Sequence, residues 1–263
     1  MLTTGICYQA YIPMRREPES ASEMINQVLF GESFTILEED KLKNFSLISL
    51  HHDLYEGWIN SQCINYLSDT QWTDLKSLTI EVSRDVHQYL HTEIPSESIY
   101  ISSGSLLRIA ASGKLNINGL NYFAPEIQAI NSLKKRETIV VQGLKLLSIP
   151  YLWGGRSSGG FDCSGLVQNL YRQIGLEIPR DASIQSTKGK TLSFIAEAKP
   201  GDLAFFDNEE GKITHVGMIA EKGKVLHSSG KVKLDELDHQ GIFSKEQNRY
   251  THKLRVIKNL LDQ

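Results

Sequence analysis

Apolar and polar residues alternate in short runs along the first part of the chain, and polar or glycine-containing turns separate several of the runs. Ile6 to Ile12, Glu23 to Leu29, Ser33 to Glu38, Phe45 to Leu50 and Glu56 to Ile59 read as strands, with Glu38-Glu39-Asp40-Lys41 as a charged hairpin tip. Strands this short favour a small antiparallel barrel over a helical domain. The pattern continues through Leu78 to Val82, Ser98 to Ile101 and Leu106 to Ile109, with turns at Gly113 and Gly119, and predicts a second, divergent small barrel. Pro125-Glu126 then opens a charged stretch. From about Arg136 the period lengthens, and Ile139, Val140, Leu144 and Leu147 fall on one side of a helix that Pro150 ends. Leu166, Val167, Leu170, Tyr171 and Ile174 recur at helical spacing, with Gly175 where such a helix stops. Strand patterns return at Leu203 to Phe206, Ile213 to Ile219, Val225 to Ser228 and Lys253 to Ile257. The expected organisation is a barrel over residues 1–72, a second over 73–129 and an α+β domain over 130–263.

Composition narrows the function classes. The 263 residues are 40% hydrophobic and 22% charged with a formal net charge of -3, without the basic excess that nucleic acid demands. No nucleic-acid partner is expected. No segment approaches the ~20 apolar residues of a membrane span. Met1 to Ile12 lacks a basic region followed by a long apolar run, so the chain as written is expected in the cytoplasm, or in the periplasm or outside the cell if a leader has been removed. The three cysteines, Cys7, Cys63 and Cys163, are an odd, widely spaced set without C-x-x-C, which reads as reduced thiols. No metal or cofactor is expected, and the chain is expected to be a monomer.

The chemistry concentrates around Cys163. It follows a glycine-rich loop and Asp162, which reads as a helix N-cap, so it falls in the first helical turn. Unpaired N–H groups and the positive end of the helix dipole are expected to lower its thiol pKa. A thiolate needs a base, and the base needs a group that fixes its tautomer. His215 and His227 fill those roles if the hairpin between them has a three-residue loop with Gly223 in the left-handed region, or a bulge, because Gly217 then pairs with His227 and the two histidines share a face. A strict two-residue turn separates them. Among eight histidines, composition alone favours ordinary core or surface positions. His87 and His91 have the i, i+4 spacing of a zinc protease but lack the glutamate and a third ligand, and read as a surface pair. His51-His52-Asp53 reads as a hydrated loop, Asp202 as a turn residue, and Cys7 and Cys63 as small buried hydrophobes.

Four motifs occur in order: Tyr151-x-Trp153-Gly154-Gly155, Phe161-Asp162-Cys163-Ser164-Gly165-Leu166, Lys199-Pro200-Gly201-Asp202-Leu203 and Thr214-His215-Val216-Gly217. Together, over roughly residues 130 to 257, they resemble the NlpC/P60 family of papain-like cell-wall peptidases. Tyr55-Glu56-Gly57-Trp58-Ile59, followed by Asn65-Tyr66-Leu67, resembles the end of a bacterial SH3-like barrel. The resemblance implies a papain-like NlpC/P60 domain preceded by two small all-β SH3-like barrels, acting as a cysteine peptidase on murein stem peptides. It implies Cys163 as nucleophile, His215 as general base and His227 as the orienting third member, with the Tyr151 hydroxyl and the Cys163 N–H serving the oxyanion. Preceding SH3-like domains point further to dipeptidyl-peptidases that release L-Ala-D-Glu by cutting the bond from γ-D-Glu to a diamino acid. There Asp181 would pair the substrate's free amine, with Glu32, Tyr66 and Tyr55 from the first barrel. Trp153, Ser164 and Ser183 complete the implied substrate contacts, although Ala182 stands where the family often has a serine. Two alternatives stay open: an endopeptidase acting on intact wall, and a non-catalytic protein that binds wall or peptide.

Overall fold

The computed structural model describes residues 3–92, 98–123 and 134–262, so the Pro125-Glu126 stretch lies outside the described residues. The chain forms two compact units: Met1–Gln128 with Trp153–Ser158, and Ala129–Leu152 with Gly159–Gln263.

In the first unit a seven-stranded antiparallel sheet runs in the spatial order Met24–Leu29, Tyr11–Arg15, Glu56–Asn60, Phe45–Leu50, Ser33–Asp40, Thr3–Ile6, Asn65–Leu67. Inward positions supply a cluster that includes Ile12, Met14, Val28, Phe34, Ile48 and Ile59. The expected Ile6 to Ile12 strand is instead two strands, because the chain bends at Gln9-Ala10. The charged tip also moves: the strand runs on to Asp40, whose Oδ1 accepts the N–H groups of Leu42 and Lys43 at 3.1 and 3.0 Å. Helix α1, Asp69–Ser77, opens on a capping box in which Ser68 and Gln71 satisfy each other's backbone N–H groups.

Beyond α1, Thr79–Val82 pairs with Leu106–Ile109, His87–His91 with Ser98–Ser102, and Lys114–Ile117 with Leu120–Phe123. These ladders stay separate among the described residues and share a core that includes Phe30, Leu90, Ile101, Leu107 and Tyr122. His87 and His91 lie on a strand, where Nδ1 of one meets the Tyr100 hydroxyl at 2.9 Å and Nδ1 of the other meets Ser98 Oγ at 3.0 Å.

The second unit is a strand system with helices packed on it. Its sheet runs Lys190–Leu192, Arg249–Asn259, Leu203–Asp207, Ile213–Glu221, Lys224–Ser229, Lys231–Leu237, Gly241–Ser244. The last strand also pairs with Arg249–Asn259, so all but the first close into a ring around Ala204, Phe206, Ile219, Val225, Leu237 and Ile257. Helix α3, Cys163–Gln173, packs on the Ile213–Glu221 and Lys224–Ser229 strands, with Leu166, Val167, Leu170 and Tyr171 fully buried. Helix α2, Lys135–Lys145, is shorter than expected: it stops before Pro150, and Ser148 takes φ 71° beyond it. Its buried stripe is Ile139, Gly143 and, just past its end, Leu146; Val140 is half-buried, and Leu144 and Leu147 are exposed. The stripe runs through a glycine because the contact is close: a Cβ on Gly143 would lie 2.5 Å from Leu226 Cδ2. Asp202 acts in its turn, accepting the Lys199 N–H at 2.9 Å, and also reaches across to helix α2, where it pairs with Arg136 at 3.0 Å.

Candidate active site

Asp162 sets the start of α3. Its backbone is extended (φ -84°, ψ 177°), and its Oδ1 accepts the Gly165 N–H at 2.7 Å. Arg180 then grips the same carboxylate. One guanidinium nitrogen lies 3.0 Å from Asp162 Oδ1 and 2.8 Å from Ser164 Oγ, while the other bonds Asp162 Oδ2. Asp162, Ser164 and Arg180 are all buried. This two-point contact fixes the cap in direction as well as distance, and holds Cys163 at the first helical position.

Cys163 is 8% exposed, at the first position of the helix. The helix start was expected to lower its pKa. Burial, aided by the Asp162 charge, instead pushes the free thiol up to about 11, against the pull of the Val216 and Ser164 amides and Arg180. The magnitudes explain the outcome: a helix terminus contributes up to ~2 kcal/mol, or about 1.5 pKa units, whereas full burial shifts a group by as much as about 3 to 5. Cys163 therefore rests as a thiol.

The hairpin carrying the histidines resolves the question of faces. Glu221 pairs with Lys224 across a two-residue turn in which Gly223 has φ 76°, but Ile219 pairs with Val225, so Ala220 is a bulge. The extra residue restores the register in which Met218 faces Leu226 and Gly217 comes opposite His227. A Cβ on Gly217 would stand 3.0 Å from that of His227 and 2.5 Å from Val225 Cγ2, so a side chain there would displace the ring. His215 and His227 share one face: His215 Nε2 lies 2.9 Å from His227 Nδ1, with the rings at 89°. By strand alternation His215 lines up with Ile219, and His227 with Val225, both members of the ring's apolar interior. Burial in that setting holds both imidazoles below their ordinary pKa, His215 well below it, so both are neutral.

Two further residues complete the cluster. Asp235 Oδ2 is 3.1 Å from His227 Nε2 and 3.2 Å from Lys233 Nζ. His252 stacks on His215 with centroids 4.1 Å apart and planes at 26°, and burial brings its pKa down to about 4. The signal for Asp235 was the alternation of Lys231 to Leu237 beside the His227 strand, and it becomes legible only once the register of the two strands is known. Ring nitrogens of His215, His227 and His252 come within 4.8 Å of one another, the spacing of a metal cluster. Their orientation fits hydrogen bonding better: stacked rings direct their in-plane lone pairs alongside each other rather than at a common point, and one pair of nitrogens is already bonded.

Of the other residues singled out in this unit, Tyr151 is half-buried, and burial followed by the nearby Cys163 and Asp162 pushes its phenol up to about 12, so it keeps its proton. Asp181 is half-buried at the start of the short helix α4, Ala182–Gln185; its carbonyl accepts the N–H groups of Ile184 and Gln185 and its side chain does not cap α4. Ser183 is exposed.

The remaining candidates belong to the first unit. Glu32 is 1% exposed; Oε1 bonds the Arg156 guanidinium and lies 3.6 Å from His52 Nδ1, and Oε2 accepts the Leu29 N–H at 2.7 Å. Tyr55 packs against the apolar cluster of its sheet. Tyr66 is 49% exposed and donates its hydroxyl to Glu39 at 2.9 Å. Trp153 is 59% exposed and its indole N–H donates to Glu23 Oε1 at 2.7 Å.

Comparison with known proteins bears on both units. Residues 148–252 match the NlpC/P60 family, and residues 14–64 match the bacterial dipeptidyl-peptidase Sh3 domain. A stretch of 94 residues is 48% identical to the gamma-D-glutamyl-L-lysine dipeptidyl-peptidase of Bacillus subtilis (strain 168), covering 35% of this chain and 31% of that protein, so the match spans less than a third of the relative. A protein of the same name from Bacillus cereus (strain ATCC 10987 / NRS 248) is 24% identical over 230 residues, covering 80% of this chain and 68% of that one. The fold is that of the crystal structure of an NlpC/P60 family protein from Bacillus cereus ATCC 10987, with TM-score 0.82 at 17% identity, covering 98% of this chain and 99% of that one. The chain therefore carries an NlpC/P60 domain and, ahead of it in the sequence, a bacterial dipeptidyl-peptidase SH3 domain.

Proposed function

We propose that this protein is a cysteine peptidase that cuts the bond from γ-D-Glu to a diamino acid in murein stem peptides with a free N-terminal L-Ala, releasing L-Ala-D-Glu. The observation that carries the reading is the buried cysteine at a capped helix start together with the hydrogen-bonded pair His215 and His227. The dipeptidyl-peptidase names of the relatives support the substrate class. In this reading residues 73–129 form a second SH3-like barrel and residues 130–263 a papain-like domain.

The chemistry starts from two neutral groups. As the Cys163 sulfur attacks the γ-carbonyl carbon, its proton passes to His215, which avoids a standing charge in an apolar site. The carbonyl oxygen gains negative charge, which the Tyr151 O–H and the Cys163 N–H receive. Collapse of the tetrahedral intermediate expels the amine of the diamino acid, which takes the proton from His215 and leaves a thioester. Water, deprotonated by the same imidazole, then releases the γ-carboxylate. Asp181 pairs the ammonium of L-Ala, since a buried ammonium must be paired, and an amide-linked N-terminus offers no charge to pair. Ser164 and Ser183 are further substrate contacts in this reading.

One observation favours a second reading, an endopeptidase acting on intact wall: the Glu32 carboxylate, expected at the substrate amine, is engaged by Arg156 and by the Leu29 N–H. Incubation with L-Ala-γ-D-Glu-L-Lys, with its diaminopimelate counterpart and with their N-acetyl derivatives separates the readings. The first predicts L-Ala-D-Glu from the free peptides alone, the second predicts cleavage of the acetylated ones as well, and cleavage of none overturns both.

A further inference from the structure

We infer that Asp235 is a positioning residue of the peptidase centre: it sets the tautomers of His227 and, through it, of His215, so that the nitrogen that takes the Cys163 proton is His215 Nδ1. The inference rests on the peptidase reading for its kinetic consequence, but its structural content does not.

Asp235 Oδ2 is 3.1 Å from His227 Nε2. The bond from His227, together with Lys233, holds the Asp235 carboxyl below its ordinary range, and Lys233 Nζ contacts the same oxygen at 3.2 Å. An ionised carboxylate only accepts, so the hydrogen between Asp235 and His227 is on Nε2 of the histidine. His227 is neutral and carries one ring hydrogen, which leaves Nδ1 as an acceptor. That acceptor is 2.9 Å from His215 Nε2, so His215 Nε2 must be the donor. His215 is neutral too, and its lone pair is therefore on Nδ1.

Strand pairing builds the first link into the fold. Val225 is opposite Asp235 and Lys233 is opposite His227, which makes Asp235 the diagonal neighbour of His227 on the same face. Without the carboxylate, His227 could place its hydrogen on Nδ1 and donate to His215 Nε2. The His215 hydrogen would then move to Nδ1, where it blocks the thiol. Once His215 has taken the Cys163 proton, the carboxylate also stabilises the imidazolium through His227, with no second proton transfer required.

Nitrogen-15 NMR of the histidine side chains tests the tautomers in the intact protein without any turnover, so its outcome stands apart from that of the peptidase reading. The expected result is that His215 and His227 both carry hydrogen on Nε2 in the wild-type protein. Asp235→Asn should add an Nδ1–H form of His227 and lower kcat by about 10- to 100-fold, with KM changed less than about twofold. Asp235→Glu should recover part of kcat. His227 bearing its hydrogen on Nδ1 in the wild-type protein would overturn the inference. So would an Asp235→Asn variant with the wild-type tautomers, or a folded one with wild-type kcat.

Discussion

In the first unit Glu32 and Arg156 are buried as a charged pair in direct contact, with His52 beside them and Asp53 3.2 Å from its Nε2. In the second, His215 and His227 are buried as fully, yet neutral, and the charges nearest them, Asp235 and Lys233, sit at the edge of the cluster. A pair of opposite charges satisfied by each other has little left to do in chemistry; removing one partner leaves the other stranded. Neutral imidazoles joined by one hydrogen bond are different, because they can accept a proton and share the resulting charge with a carboxylate. The contrast sets a charge-satisfied cluster beside one that is suited to take up a proton.

The largest expected effect on stability breaks the first cluster. Glu32→Ala should cost about 3 to 5 kcal/mol in urea unfolding, since it leaves the Arg156 guanidinium buried without its carboxylate. Replacing both, as Glu32→Leu with Arg156→Met, should recover most of that loss. A small effect of the single change would mean that the pair opens to water. Asp181→Asn sharpens the functional side: KM for a free-amine stem peptide should rise about 10-fold or more, a loss of about 1.4 kcal/mol for one charged contact. An unchanged KM would remove Asp181 from amine recognition.

The smallest effect is in the pH dependence of stability. His215, His227 and His252 are held below the ordinary histidine value, His252 at about 4, mainly by burial. The unfolded chain takes up protons near its histidine pKa of about 6.5, whereas the folded cluster does not, so stability should fall as pH drops from about 6.5 towards 4. Depressed carboxylates such as Asp53 and Asp235 act in the same direction at lower pH. His252→Phe, which keeps a ring against His215, should flatten the fall in urea midpoint between pH 6.5 and 4.5. An equally steep fall would place the proton uptake elsewhere.

Where local pattern and tertiary contact agree, the sequence was enough. The Phe45–Leu50 strand matches its expected limits, and its Ile48 and Leu50 join the core cluster of the sheet. The Cys163 helix begins and ends as expected because the Asp162 side chain caps its first turn and Gly175 takes a left-handed backbone just past its end, both signals that lie next to the helix in sequence. Helix α1 was not anticipated: it buries no residue, so no apolar stripe announces it. The α2 stripe was misplaced because one of its contact residues is Gly143, which has no side chain to count. His87 and His91 fit a helix or a strand equally well, since a spacing of four brings residues to one face in both. At the site, the pairing of His215 with His227 needed a bulge whose position at Ala220 no local signal marks. Asp235, His252 and Arg180 reach the cluster or its helix cap through strand register and loop path, which a linear reading does not contain.

The central claim is that the buried Cys163 thiol, served by His215, is the nucleophile of a peptidase. The most direct measurement compares kcat for release of L-Ala-D-Glu from L-Ala-γ-D-Glu-L-Lys and its diaminopimelate counterpart between the wild-type protein and Cys163→Ala, with Cys7→Ala and Cys63→Ala as controls. The account predicts turnover by the wild-type protein, loss of at least about 10³-fold in Cys163→Ala with its folding transition retained, and turnover kept by the folded fraction of both controls. Release that persists in Cys163→Ala, or that is lost only with Cys7 or Cys63, would contradict it.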